Sequence, residues 1–315
     1  MPIKCHQSGP AMAVDIGFVL LTHTNVEQIT RLINRLNKMF NHPPIVCHHD
    51  FAKCDLPICQ FPNNVSFVLP PLPTGWGIFS TVEAAVRAIK MMYEKPAAPG
   101  WFVLISGSDY PIKSSERIRH DLEVCPYDAN IHYELIDPSY TESDWHRLYC
   151  KRYCRKIVLR VRSRAISLPP RLSRPFLPFS ESFLCYGGEF WFCANRRAAE
   201  YILEFHSARP ALASHYRSVP NPEESYFQCI LVNAPHLKVS ANPVSHHDLT
   251  PPVGCLRANY GYMDWSEGGS HPKILTTDDL PFLLSSPAHF ARKFDIGLDH
   301  KVLDELDAAT ENPER

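Results

Sequence analysis

The sequence predicts an α/β protein: a mostly parallel, Rossmann-like central sheet flanked by helices. Two patterns carry this reading. Between Val14 and Ile105, short and nearly continuous apolar runs alternate with stretches of helical periodicity. Runs of that kind form strands buried on both faces. Strand, helix, strand at these spacings is the mark of a parallel sheet with right-handed crossovers. Size agrees, since 315 residues, 45% hydrophobic and 21% charged, suit one large α/β domain of ordinary enzyme composition. A single domain is expected over 13–315, after a disordered lead-in over 1–12.

Taken in order, Val14 to Leu21 is the first buried strand. Thr22-His23-Thr24-Asn25 caps a helix whose apolar face is Ile29, Leu32, Ile33 and Leu36. Ile45-Val46-Cys47 is the second strand, ending at His48-His49-Asp50, and Val65 to Leu69 the third. Thr81 to Met92 reads as helix, and Trp101 to Ile105 as the fourth strand, followed by Ser106-Gly107-Ser108-Asp109. Ligands of parallel sheets bind at the carboxyl ends of the strands. There stand His23, Asp50 and Asp109, each also readable as a turn or cap residue. From Trp145 to Ser180 the chain has ten Lys or Arg and no acid. This basic flap over 145–180 is either a solvated insertion or a docking surface for an acidic acceptor or an anionic membrane face, through 147–174. Glu189 to Ala194 reads as an aromatic strand, with Phe190, Trp191 and Phe192, and Arg196 to Phe205 as helix. His246-His247 point to opposite strand faces, which disfavours a shared metal. A short helix from Thr277 and an amphipathic helix to about Asp307 complete the chain.

Net charge is −1, so no global field calls for nucleic acid. The eleven cysteines are irregularly spaced, without a C-x-x-C pair, and read as reduced thiols. With no apolar run of ~18 residues, the expected setting is cytoplasmic, free or at an inner membrane face. Walker, G-x-G-x-x-G, G-x-S-x-G and H-E-x-x-H motifs are absent.

The most telling stretch is Asn221-Pro222-Glu223-Glu224-Ser225-Tyr226-Phe227. Asn221 suits an N-cap, Pro222 the first helical position, and the two acids complement the helix dipole. Glu224, three residues after Asn221, also fits a capping box. A carboxylate there that faces a cleft is equally a candidate general base. No two aspartates stand two apart, so the charge of a diphosphate substrate would have to be met by basic residues, with Lys273, Arg292 and Lys293 as suppliers.

Ser106-Gly107-Ser108-Asp109-Tyr110-Pro111-Ile112-Lys113, Pro222-Glu223-Glu224-Ser225-Tyr226-Phe227 and Phe290-Ala291-Arg292-Lys293-Phe294 occur in that order. Together with Trp76-Gly77, Gly187-Gly188 and Asp264-Trp265 they resemble the core-2/I-branching N-acetylglucosaminyltransferase and peptide O-xylosyltransferase family, glycosyltransferase family 14. The likeness runs from about Val14 to Asp307 and is closer to the xylosyl branch. It implies a GT-A-type fold, a UDP-sugar donor, inversion at the anomeric carbon and no metal or other cofactor. By motif position it implies Glu224 as catalytic base and Arg292 and Lys293 as the diphosphate pair within a donor-phosphate segment over 261–315. It further implies Asp50 and His23 beside the uridine, Trp76 near the donor, and Ser270 or Lys273 as a phosphate contact. Asp109, Glu189, Trp191 and Glu223 are further candidates for the donor or acceptor site. Phe190 departs from the acid or small polar residue expected in the xylosyl branch. The membrane anchor and paired cysteines of secretory members are not seen, which suggests a bacterial-type member.

The reading is therefore an inverting transferase moving xylose or N-acetylglucosamine from UDP to a hydroxyl of a glycan or peptide. Its rival is a silent UDP-sugar or glycan binder. A glycoside hydrolase using Glu223 and Glu224 is disfavoured, because adjacent helical acids splay apart.

Overall fold

The computed structural model describes residues 14–139, 143–161, 164–240, 259–268 and 271–311. The lead-in over 1–12, Ser270, and the His246-His247 pair lie outside them. In chain order the first half comprises β1 (Ile16–Thr22), α1 (Val26–Phe40), β2 (Ile45–His49), β3 (Val65–Phe67), α2 (Phe79–Tyr93), β4 (Trp101–Ser106), β5 (Asp109–Pro111), α3 (Ser115–Glu123), β6 (Ala129–Asn130) and β7 (Glu134–Leu135). Then come α4 (Asp144–Tyr153), β8 (Ile157–Val161), β9 (Arg164–Ser167), α5 (Pro170–Ser173), β10 (Tyr186–Gly187), β11 (Cys193–Asn195), α6 (Arg196–Ala208) and α7 (Pro210–Tyr216). A 3₁₀ turn (Pro222–Glu224) precedes α8 (Tyr226–Val232), and β12 (Gly261–Met263), α9 (Leu280–Ser285), β13 (Phe290–Arg292) and α10 (Lys301–Glu311) follow.

The central sheet has the order β3-β2-β1-β4-β11-β6. β3, β2, β1 and β4 run parallel, while β11 is antiparallel to both β4 and β6. This mixed α/β architecture is consistent with a GT-A-type fold. Strand alternation divides the core in two. Ile16, Phe18 and Leu20 of β1 and Trp101, Val103 and Ile105 of β4 enter the layer containing α1 and α10. Val19, Leu21, Phe102 and Leu104 enter the opposite layer, with α2, α6 and α8. A two-residue side-chain period produces that split. A second sheet, β12-β13-β5, sets Arg292 of β13 opposite Asp109 of β5.

Asn25 caps α1 as expected, its side chain accepting from the Gln28 N–H at 3.2 Å. Three expectations are corrected. The strand read over Glu189–Ala194 is shorter and shifted, Cys193–Asn195, with Leu104 N–H also donating to the Phe192 carbonyl at 2.9 Å; Phe190 and Phe192 are buried in the core, Phe190 stacking on Phe227 at 5.9 Å. The 145–180 stretch is no uniform loop, because Trp145, Tyr149 and Tyr153 recur every fourth residue and fold α4 onto the core. Asn221 does not cap by its side chain: it is left-handed, with φ 52°, and its amide donates to Glu224 instead. The nine described cysteines are free thiols.

Candidate active site

The 3₁₀ turn puts its two acids in opposite surroundings. Glu224 is partly exposed. Its Oε2 accepts from the Tyr149 hydroxyl at 2.7 Å and from Arg152 Nη1 at 2.7 Å, while among the described residues Oε1 receives a single long bond, from Asn221 Nδ2 at 3.3 Å. Both strong donors come from α4, and Arg152 also lies over the Tyr149 ring at 5.2 Å. Burial, then the neighbouring Glu224 charge, pushes the Tyr149 phenol far above its ordinary value, so it stays a donor. Two glycines make the approach possible. A Cβ on Gly187 would meet the Tyr149 ring at 2.6 Å, and one on Gly188 would overlap the His132 carbonyl oxygen. Gly188 N–H then donates to the Glu224 carbonyl at 2.7 Å.

Glu223, by contrast, is buried. Its Oε1 accepts from Gly77 N–H at 2.9 Å, and Asn221 N–H returns a bond to the Gly77 carbonyl at 3.0 Å. Gly77 has φ 71°, which glycine adopts without strain. The turn is thus braced to the loop that carries Trp76. Glu223 Oε2 is buried with no hydrogen-bond partner among the described residues. Burial first, with the Glu224 charge adding and the Gly77 bond and Arg152 opposing, pushes its carboxyl up to about 7. A raised carboxyl holds its proton in the folded chain after the unfolded chain has lost it. Its stabilising effect is whole below pH ~4.5 and fades as pH rises to about 7, a loss on the order of 3 kcal/mol. Glu223→Gln keeps the Gly77 acceptor and removes the ionisation. It is expected to melt higher than wild type above pH 7, with the difference vanishing near pH 4.5 in a calorimetric series.

Across the sheet edge, β13 supplies the basic side. Arg292 is partly buried, and its guanidinium lies 4.4 Å from the centroid of the Trp191 ring. Its Nε has no hydrogen-bond partner among the described residues. Burial lowers its pKa, opposed by the charges of Asp109 and Glu189. Asp109 answers in kind: burial raises it, while Arg292 and hydrogen bonds from the Ser106 N–H and hydroxyl resist. Glu189 joins the two sides, since its charge acts on Tyr149 and Arg292 alike. Its carbonyl accepts from Gln228 Nε2 at 2.6 Å. Lys293 is half-buried beside Arg292 and Asp109, and its charge reaches His23 and His271.

Trp76, 66% exposed, stands edge-on to His271 at 6.1 Å. So large an exposed ring at the mouth of a polar cluster is a natural stacking platform. Asp50 is buried, with Oδ1 accepting from Ala52 N–H and Oδ2 from the Thr74 N–H and hydroxyl at 2.8 and 2.9 Å. Burial would raise its carboxyl, yet those bonds outweigh it and hold the group below its ordinary value. Asp50 therefore ties the end of β2 to the Trp76 loop. His23 lies within the fields of Lys53, Asp50 and Lys293. The Lys273 side chain is engaged by an acid. Its ammonium meets Asp279 at 2.7 Å, while its backbone adjoins Lys293.

The strand ends thus gather His23, Asp50, Trp76, Asp109, Glu189, Trp191, Arg292 and Lys293 near the turn of Glu223 and Glu224, and leave Lys273 paired with Asp279. Sequence reading overlooked Tyr149, Arg152, His271 and Lys53. The four-residue spacing of Trp145, Tyr149 and Tyr153 was the available signal for α4, masked by the basic composition around it. Among the described residues no three His, Cys, Asp or Glu side chains form a group that could hold a metal ion.

The chain is 24% identical to human xylosyltransferase 1 over 314 residues, covering 95% of this chain and 30% of that protein. It is 26% identical to rat xylosyltransferase 2, covering 95% and 34%. Against the Arabidopsis thaliana beta-glucuronosyltransferase GlcAT14B it is 24% identical over 210 residues, covering 66% and 43%. The chain therefore spans about a third of the length of these xylosyltransferases. The model of the family described as Branch: Core-2/I-Branching enzyme matches residues 16–281, and by that match the chain belongs to the core-2/I-branching enzyme family.

Proposed function

We propose that the chain is an inverting glycosyltransferase that moves xylose or N-acetylglucosamine from its UDP ester to a hydroxyl of a glycan or peptide. The observation that supports it most is a partly exposed carboxylate, Glu224, held by Tyr149, and a partly buried guanidinium, Arg292, whose Nε has no hydrogen-bond partner among the described residues, with the Glu189 charge acting on both Tyr149 and Arg292. The acceptor hydroxyl gives its proton to Glu224 Oε1 as its oxygen bonds to the anomeric carbon. The bond from that carbon to the diphosphate breaks on the opposite face, and the departing electron pair leaves with UDP. Arg292 and Lys293 meet the charge that develops there. Tyr149 and Arg152 hold the carboxylate by Oε2, so the freer oxygen faces the acceptor.

A thermal-shift panel of UDP-sugars tests this reading. A donor at one hundred times its Kd stabilises the native chain by about 2.7 kcal/mol, and EDTA is expected to leave that shift nearly unchanged. A hundredfold loss of affinity in EDTA, restored by manganese, would replace the basic clamp by a metal. The second reading, a binder without turnover, draws on the Arg152 ion pair that engages Glu224. It predicts the same shift but no UDP release with any acceptor.

A further inference from the structure

We propose that the segment from α4 to the turn after α5 docks this protein on an anionic lipid surface. β8 and β9 form a two-stranded sheet of their own, separate from the central sheet. Ser173, fully buried, fastens its base: the Ser173 hydroxyl donates to the Leu168 carbonyl at 2.9 Å and accepts from the Lys156 N–H at 2.8 Å. In the same segment Val158, Ile166, Leu172 and Phe176 are each more than half exposed. A lone hairpin is marginal in water, and so small a unit cannot cover such side chains by itself. Lys156, Arg171 and Arg174 of the same segment are exposed, and Arg174's ion pair among the described residues is a loose one, with Glu181 at 3.6 Å.

The composition selects the partner. Of the ten cations between Trp145 and Ser180, Arg152 is taken by Glu224 and Arg147 by Asp144; the stretch has no acid of its own, and the exposed cations that remain call for a negative surface. The exposed apolar side chains call for a phase that can take them in, which an acidic polymer in water does not offer. A bilayer face rich in anionic lipid offers both. The same segment leads directly from α4, whose Tyr149 and Arg152 hold Glu224. This inference stands apart from the transferase reading, because binding to lipid needs no sugar.

Co-sedimentation of the full chain with vesicles decides it. Wild type is expected to pellet with equimolar phosphatidylcholine and phosphatidylglycerol, to stay in solution with phosphatidylcholine alone, and to release as salt rises. Lys156→Glu, Arg171→Glu and Arg174→Glu together should weaken binding by roughly fivefold or more per cation. Leu172→Ser with Phe176→Ser should also weaken it severalfold, with an unchanged melting temperature showing that the fold survives. Wild type failing to pellet with the anionic vesicles overturns the proposal. So does a serine double variant that pellets as well as wild type and is stripped by dextran sulfate, which would make the patch a site for acidic polymers.

Discussion

Glu224→Gln is expected to lower sugar transfer by ~10² or more while leaving UDP affinity within about twofold of wild type. Glutamine keeps a carbonyl oxygen to accept from Tyr149 and Arg152, so the turn and α4 stay in place. What disappears is the proton acceptor. The lost ion pair with Arg152 is partly exposed on both sides, so its stability cost stays near 1 kcal/mol or below. A pure cap would behave differently: transfer would hold and only the melting temperature would move. Glu223→Gln is the control, because Glu223 faces Gly77 inside the protein and cannot reach an acceptor without dismantling the turn. Retention of more than a tenth of wild-type transfer by Glu224→Gln, on a verified acceptor, would remove Glu224 from the mechanism.

Arg292→Ala should weaken UDP binding by roughly 10- to 100-fold, the range set by losing charge-assisted hydrogen bonds of about 1.5–3 kcal/mol. It also uncovers the Trp191 face and leaves buried Asp109 without its opposing cross-strand charge. The melting temperature should therefore fall as well. Arg292→Lys separates the effects, since it keeps the charge and gives up the planar fork and the stack. Calorimetric titration with UDP, beside a thermal melt, reads both. If Arg292→Ala melts lower yet binds UDP as wild type does, Arg292 is a core cation and the diphosphate is held elsewhere.

Periodicity made the scaffold readable, because strands buried on both faces and a one-sided helix such as α1 write their burial into consecutive residues. It could not reveal partners brought together across long separations. Nothing local announces that Gly77 would bond Glu223, or that Arg152 would meet Glu224. Asn221 looked like a cap because its neighbours match the pattern; the brace to Gly77 places it in the left-handed region and redirects its amide. Lys273 has the right residue type in the right segment, and Asp279 claims it. The motif resemblance supplied Glu224 and Arg292, whereas Tyr149 needed the helix it stands on.

The second sheet has a consequence for how the protein is made. β13 must reach back to lie beside β5, and α10 must clasp α1 through Arg31 and Arg35 against Asp304, Asp307 and Glu311. Such long-range closure is slow and comes late in folding. On the ribosome Glu224 leaves the exit tunnel well before Arg292 does. A nascent chain that has not yet made β13 carries Glu224 without Arg292. Under the proposed mechanism such a chain lacks the cation assigned to the diphosphate, and donor binding waits for β13 to close against β5.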